Sequence, residues 1–142
     1  MNPKVTVLLC AHNAEDYVSD TIDSILSQTF SNFEFIIVEN GSDDETWNII
    51  NSYEDCRITA LKSPVKQLSF NLNYGLIHSK AEYIARIDAD DIAKPDRLEK
   101  QITFLDSNPD IAVLGTAFQR FSKNRLGKTV RLPQYNKNIR KK

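Results

Sequence analysis

The sequence predicts an α/β fold of three layers, in which helices cover both faces of a mostly parallel central sheet. Short apolar segments alternate four times with segments whose apolar residues recur at helical spacing. That alternation is typical of parallel strands joined by crossover helices. The length of 142 residues suits one domain with a buried sheet, and a composition of 41% hydrophobic and 26% charged residues is that of an ordinary globular chain.

The first part of the chain contains two strand–helix pairs. Residues 5–10 and 33–39 are short and apolar, which predicts two buried strands. Residues 15–28 place apolar side chains on one face at helical spacing, and acidic residues at their start complement the helix dipole. After the second strand, an Asn-Gly turn signal precedes residues 42–45, which match a capping box and predict a second helix.

The remaining chain repeats the alternation with weaker signals. Leucines four residues apart indicate a third helix, and a Lys-Pro-Asp sequence indicates the start of a fourth, because proline is favoured near the first helical position. The predicted segments are a strand at 57–61, a helix at 68–78, a strand at 83–87, a helix from 94–96 to 107, a strand at 111–114, and further strands at 118–121 and 129–132.

Charge is distributed unevenly along the chain. Residues 119–142 contain nine Lys and Arg and no Asp or Glu, so residues 1–118, with 9 basic and 19 acidic residues, carry a formal charge of −10. The basic residues are spread among apolar ones, which favours a solvated segment over one that binds phosphates or an anionic membrane surface. We therefore treat residues 119–142 as a separate basic segment.

Several classes of protein do not fit the composition. No apolar run approaches the about 20 residues of a transmembrane helix. Cys10 and Cys56 lack metal-ligand spacing, which disfavours a disulfide framework and a structural zinc site and fits a reducing compartment. The four glycines form no Gly-rich phosphate motif, so a Rossmann dinucleotide site and a P-loop site are not expected. We expect a cytoplasmic protein with no nucleic-acid partner.

Polar segments follow three of the predicted strands, at residues 11–13, 39–42 and 88–91. Right-handed crossovers bring the carboxyl ends of parallel strands to one edge of a sheet, where ligands bind. The last segment has three Asp in four residues, and Mg²⁺ or Mn²⁺ would relieve their repulsion, with a substrate diphosphate completing the ligand shell. A helix cap is the ordinary alternative for so short a pattern. The position of the acidic segment after an apolar strand favours a metal site.

Residues near these segments carry weaker signals. Gly41-Ser42 leads into a helix N-terminus, which can bind an anion, although a turn and an N-cap explain this pair better. The ring of His12 could stack on a nucleobase. Cys10 fits a small core residue better than a nucleophile.

Together the motifs resemble those of family 2 glycosyltransferases with the GT-A fold, the nucleotide-diphospho-sugar transferase type. Each motif is short, whereas the ordered series with matching spacing, from residue 4 to about 115, is specific. The segments that carry the resemblance are residues 5–13, 25–30, 33–44, 73–76, 83–91 and 95–98.

The resemblance implies transfer of a sugar from a nucleotide-diphospho-sugar, with a UDP-sugar favoured, to an acceptor hydroxyl with inversion at the anomeric carbon. It implies synthesis of a polysaccharide or lipopolysaccharide, with Mn²⁺ or Mg²⁺ bound by Asp90 and Asp88. It places the residue equivalent to His12 on the base and the pair at Glu39 and Asn40 at the base edge. The residues it assigns to the nucleotide sugar are Ala11, His12, Asn13, Glu15, Glu39, Asn40, Gly41, Asn73, Asp88 and Ala89.

This chain departs from the family pattern at several positions. Proline is usual at Cys10, tyrosine at His12, and two aspartates at Glu39 and Asn40. Asn40 can still offer its amide to a base, but it brings no charge. An arginine that often contacts the diphosphate is replaced by Leu72. These departures weaken the expected preference for uridine.

The resemblance also implies a catalytic Asp or Glu beyond the fifth strand, because an inverting transfer needs a base for the acceptor hydroxyl. Residues 119–142 contain no carboxylate side chain, so no residue of this chain is assigned that role. We expect a GT-A nucleotide-sugar-binding domain at residues 1–118. Residues 119–142 are expected to begin an acceptor-side region that is truncated, which would leave the isolated chain inactive.

Two alternatives stay open. The chain could be a non-catalytic nucleotide-sugar-binding or regulatory module of the same fold. It could also be a nucleotidyltransferase, but such enzymes usually carry a Gly-rich basic first loop, unlike residues 11–14. For the glycosyltransferase we expect a saccharide or lipid-linked acceptor, a peripheral place at the inner face of the cell membrane, and self-association as a homodimer through apolar surface left exposed.

Overall fold

A computed structural model of the chain describes residues 2–122 and 125–131. Its main body is a four-stranded sheet in which every pairing is parallel, in the order β3-β2-β1-β4. The mostly parallel sheet predicted from the sequence is confirmed. The elements are β1 (Val5–Ala11), α1 (Val18–Leu26), β2 (Phe33–Glu39), α2 (Thr46–Asn51), β3 (Ile58–Lys62), α3 (Leu68–Leu76), β4 (Tyr83–Asp88) and α4 (Arg97–Asp106).

The sheet has two covered faces, as the alternation of side chains along β1 shows. Val7 and Leu9 point into a core built with α1, α2 and α4, whereas Leu8 points into a smaller core beneath α3. Successive side chains of a strand face opposite sides, so both faces must be apolar when both are covered. This explains why the central strands β1 and β2 have continuous apolar sequences and the edge strands β3 and β4 have weaker ones.

Helix α3 packs on the sheet differently from the leucine pattern. The helix is confirmed, but Leu68 and Leu76 are exposed, and only Leu72 of the three joins the core. The close contact is made by Gly75, where an added Cβ would lie 2.3 Å from Leu8 Cδ1. A residue without a side chain therefore sets how near the helix approaches the sheet.

The capping box predicted at residues 42–45 is wrong. The residue that precedes α2 is Glu45, and its side chain makes no capping bond. Asp44 Oδ1 instead accepts a hydrogen bond from Thr46 N at 3.0 Å. Ser42 is used elsewhere, because its hydroxyl accepts a hydrogen bond from the loop after β1.

The chain divides into two compact units, one ending at Ile102 and one formed by the described residues from Thr103 onward. The second unit contains an antiparallel pair, β5 (Phe118–Ser122) and β6 (Arg125–Val130). The strand predicted at 111–114 is wrong: those residues pair with no described strand, and Val113 is 88% exposed. The predicted boundary after residue 118 stays a prediction.

Strand β5 confirms the segment predicted at 118–121, and β6 begins four residues before the segment predicted at 129–132, whose last residue lies outside the described residues. No described helix has both the length and the apolar character needed to cross a membrane. Both cysteines are free thiols, and burial raises the pKa of Cys10 to about 11. That thiol therefore stays protonated and behaves as a packing group.

Candidate functional site

The loops after β1 and β2 lie side by side and are joined by hydrogen bonds. Ala11 and Glu39 are register partners at the ends of the two strands, and Asn40 N donates to Ala11 O at 2.9 Å. Asn13 N donates to Ser42 Oγ at 3.1 Å, and Asn13 Oδ1 accepts from Asp43 N at 3.0 Å. Asn13 has a φ of 48°, which asparagine adopts more readily than most residues.

A second set of bonds continues this connection toward α2. Glu15 N donates to Asp44 Oδ2 at 3.2 Å, and Glu15 Oε2 accepts from Glu45 N at 3.0 Å. The buried Thr46 hydroxyl accepts from Ala14 N at 2.8 Å. The two loops thus hold each other in one arrangement, and the Glu15 carboxylate is part of that structure.

Glu39 and Gly41 shape the turn after β2. The Glu39 side chain is buried, and its Oε1 accepts a hydrogen bond from Ser42 N. Gly41 has a φ of 64°, a region that side chains other than asparagine seldom adopt. The carboxylate of Glu39 is therefore directed at its own loop.

Asn40, at the end of β2, is bonded to a residue that the sequence did not single out. Asn71 of α3 is fully buried, and its Nδ2 donates to Asn40 Oδ1 at 2.6 Å and to Val65 O at 2.7 Å. Its Oδ1 is buried with no partner in the described chain. The sequence pattern of α3 did not mark Asn71, because apolar residues of the same helix such as Leu68 and Leu76 are exposed.

The acidic segment begins at Asp88, the last residue of β4, which is the register partner of Cys10 on β1. Asp88 Oδ1 accepts a hydrogen bond from Arg86 Nη2 at 2.6 Å, and both side chains are about half exposed. No hydrogen bond or ion pair in the described residues involves the Asp90 carboxylate. Removal from water, together with the charges of Asp88 and Asp90, raises the pKa of Asp91.

Polar side chains of α1 and of Gln28, two residues beyond its end, position the acidic segment, a role that the sequence analysis missed. Thr21 Oγ1 donates to Ala89 O at 2.9 Å, and Ser24 Oγ accepts from Ala93 N at 3.0 Å. Gln28 Nε2 donates to Lys94 O at 2.7 Å, and Gln28 Oε1 accepts from the amide of α4's second residue at 3.0 Å. The spacing of these polar residues by three and four positions was the available signal, but it does not identify their partners.

The remaining predicted residues lie farther from these bonds. His12 is exposed directly after β1, where its ring is free of the loop hydrogen bonds. Asn73 is exposed on α3, and no bond joins it to the other predicted residues that the structure describes. Strand order and register bring together the ends of β1, β2 and β4, but they do not bring Asn73 into that network.

The donor atoms at this edge suit a hard cation only with help from a ligand. Within the described ranges, no group of three or more His, Cys, Asp or Glu side chains is arranged to hold a metal ion. The exposed carboxylates of Asp88 and Asp90 offer oxygen atoms, which Mg²⁺ and Mn²⁺ prefer. Mg²⁺ is commonly held by one or two carboxylates with phosphates and water, so the residues present fit such an ion.

Curated relatives are similar over most of this chain. It is 38% identical over 137 residues to the O-antigen biosynthesis glycosyltransferase WbnJ of Escherichia coli, covering 94% of this chain and 54% of the relative. It is 36% identical over 104 residues to WfaP of Escherichia coli, named a UDP-Glc:alpha-D-GlcNAc-diphosphoundecaprenol beta-1,3-glucosyltransferase, covering 72% of this chain and 41% of that protein. The chain thus spans about half the length of these relatives or less.

Solved structures agree in fold. S. aureus TarS 1-349 in complex with UDP-GlcNAc superposes with a TM-score of 0.71 at 22% identity, over 75% of this chain and 32% of TarS. The mannosyltransferase PcManGT of Pyrobaculum calidifontis, in complex with GDP-Man and Mn²⁺, gives 0.67 at 23% identity, over 74% and 33%. These likenesses show the GT-A fold. A family model matches residues 6–142, and the chain belongs to glycosyl transferase family 2.

Proposed function

We propose that this chain is the donor-binding part of an inverting glycosyltransferase, which transfers a sugar from a nucleotide-diphospho-sugar to an acceptor hydroxyl in polysaccharide or lipopolysaccharide synthesis. One observation carries the proposal. The register places Ala11 beside Glu39 and Cys10 beside Asp88, so the three polar strand ends form one continuous edge. Family membership supplies the reaction class, and this edge supplies a place for a nucleotide, a diphosphate and a sugar.

The two sides of the edge have different chemistry. The side formed by the loops after β1 and β2 offers the exposed ring of His12 for stacking and the amide of Asn40 for the base edge. The side after β4 offers carboxylates near the ribose and sugar. We assign Asp90 and Asp88 to a bound Mn²⁺ or Mg²⁺, which would offset the negative charge that develops on the leaving nucleoside diphosphate.

The names and bound ligands of similar proteins support a nucleotide-sugar donor. WfaP is named for UDP-Glc, TarS was solved with UDP-GlcNAc, and PcManGT with GDP-Man and Mn²⁺. We favour a UDP-sugar here. WfaP is also named for a diphosphoundecaprenol acceptor, which supports a saccharide or lipid-linked acceptor and a peripheral place at the inner face of the membrane.

The catalytic base and self-association also belong to this proposal. An inverting transfer requires a base for the acceptor hydroxyl, and we assign that base to no residue described here. Self-association also stays a prediction, supported by exposed apolar side chains on α3 such as Leu68, Phe70 and Leu76.

The test is thermal unfolding of the chain with UDP and Mn²⁺. We expect the midpoint to rise with both present, because a ligand that binds only the folded state stabilises it. Asp90→Ala should abolish that rise, whereas Asp110→Asn, which removes an exposed carboxylate of the second unit, should preserve it. No response to any nucleoside diphosphate with metal would contradict the proposal, and sugar released from a UDP-sugar would separate an enzyme from a binding module.

A further inference from the structure

The amide of Asn71 has only one orientation compatible with its surroundings. One of its side-chain atoms lies 2.7 Å from Val65 O, a backbone carbonyl that can only accept a hydrogen bond. That atom must therefore be the nitrogen. Because Asn71 is fully buried in the helix that packs on the smaller core, it has no room for a solvent-facing alternative.

This orientation determines the orientation of Asn40. The second hydrogen of Asn71 Nδ2 points to a side-chain atom of Asn40 at 2.6 Å, which must be the acceptor Oδ1. The Asn40 nitrogen then faces away from Asn71, and no described group accepts from it. Asn40 is itself only 8% exposed, so its environment fixes the amide.

The side chain of Asn71 makes its hydrogen bonds through the nitrogen and leaves its oxygen unpaired among the described residues. Asn71 Oδ1 is buried without a partner in the described chain, and an unpaired buried acceptor destabilises a fold. The two bonds made by Nδ2 offset that cost by joining Val65 and the end of β2 to α3.

We propose that Asn71 is a positioning residue that makes Asn40 a hydrogen-bond donor toward the nucleobase. The site then holds the base through atoms that accept hydrogen bonds, a ring carbonyl or an unprotonated ring nitrogen, and does not require an imide N–H. This inference rests on the proposed function, because it takes the ligand to be a nucleoside diphosphate.

The inference distinguishes this chain from one with aspartate at position 40. A carboxylate would use one oxygen for the Asn71 amide and present the other as an acceptor, which suits the N3–H of uracil. Cytosine has an unprotonated N3 and a carbonyl, which suit the amide nitrogen of Asn40. We therefore expect the natural chain to prefer UDP over CDP less strongly than a chain with aspartate at position 40 would.

The test is isothermal titration of UDP and CDP, each with Mn²⁺, into the natural chain, Asn40→Asp and Asn71→Ala. Asn40→Asp keeps the size of the side chain and its bond to Asn71, and it should raise the preference for UDP over CDP about tenfold, as expected for a hydrogen bond to a charged group. Asn71→Ala frees the Asn40 amide to rotate and should also shift the preference toward UDP. Ser69→Ala, an exposed change on the same helix, should leave the preference unchanged.

The outcomes separate the two proposals. If the natural chain binds no nucleoside diphosphate with metal, both the proposed function and this inference are overturned. If it binds UDP and CDP but Asn40→Asp leaves their ratio unchanged, this inference alone is overturned. A merely structural role for Asn71 would weaken both ligands equally, and Asn40→Asp decides the matter even if Asn71→Ala fails to fold.

Discussion

Replacing Gln28 with alanine tests whether α1 holds the acidic segment in place. Gln28 is buried two residues beyond the end of that helix, and its side chain makes one hydrogen bond to Ser24 of α1 and two to residues around the start of α4. Its nitrogen donates to Lys94 O at 2.7 Å, and its oxygen accepts from Leu98 N at 3.0 Å. The second bond takes the place of a helix cap, because Leu98 N is one of the first amides of α4, which lack partners within the helix.

The bonds that Gln28 makes to Lys94 and Leu98 differ in what their loss costs. Leu98 N lies in a buried bond, so removing its acceptor leaves an unpaired donor at a cost of about 1–3 kcal/mol. Lys94 is exposed and its carbonyl can be solvated, so the second loss is nearer ~1 kcal/mol. We expect Gln28→Ala to lower the free energy of unfolding by about 2–4 kcal/mol, which a domain of about 5–15 kcal/mol tolerates.

Urea denaturation followed by tryptophan fluorescence measures this loss, and nucleotide binding measures its consequence. Because residues 88–94 would lose one of the three side chains that hold them, we expect weaker Mn²⁺-dependent binding of UDP by the folded variant as well. Ser27→Ala is the matched control, since this neighbour is exposed and its hydroxyl makes one long hydrogen bond of 3.4 Å to Ser24 O. A loss of stability below about 1 kcal/mol would refute the reasoning, because Leu98 N would then have another acceptor.

Two further predictions concern stability. Gly75→Ala places a methyl group 2.3 Å from a leucine of β1 and should destabilise the fold by about 1–3 kcal/mol, measured by urea denaturation, despite alanine's better helix propensity; an unchanged midpoint would contradict the close packing. Hydrogen bonds from Arg57 lower the pKa of Asp55 from 3.8 to about 2, so this carboxylate stabilises the fold at neutral pH and loses that effect as the pH falls from about 4 toward 2. Asp55→Asn should flatten that part of the stability–pH curve, and an unaltered slope would argue against the pair.

Prediction from the sequence succeeded where a pattern is local. Strand β2 is found at the predicted residues 33–39, because a short, continuous apolar segment bounded by turn signals fits a strand that is buried on both faces. Prediction failed at 111–114, where an apolar segment meets no described partner strand, since pairing depends on distant residues. It also failed at 42–45, because Ser42 bonds to the loop after β1 instead of capping α2.

The sequence by itself determined the order of elements, the family and the three polar strand ends, because each is written in a contiguous pattern. Only the tertiary structure decided which side chains support them. Gln28 bonds to Lys94 and Leu98, which lie 66 or more positions away along the chain. Asn71 bonds to Asn40, which lies 31 positions away. No periodicity in the sequence signals a partner at such separations. The direction in which the Asn40 amide points follows from such a contact, because a neighbouring carbonyl fixes which atom of Asn71 donates.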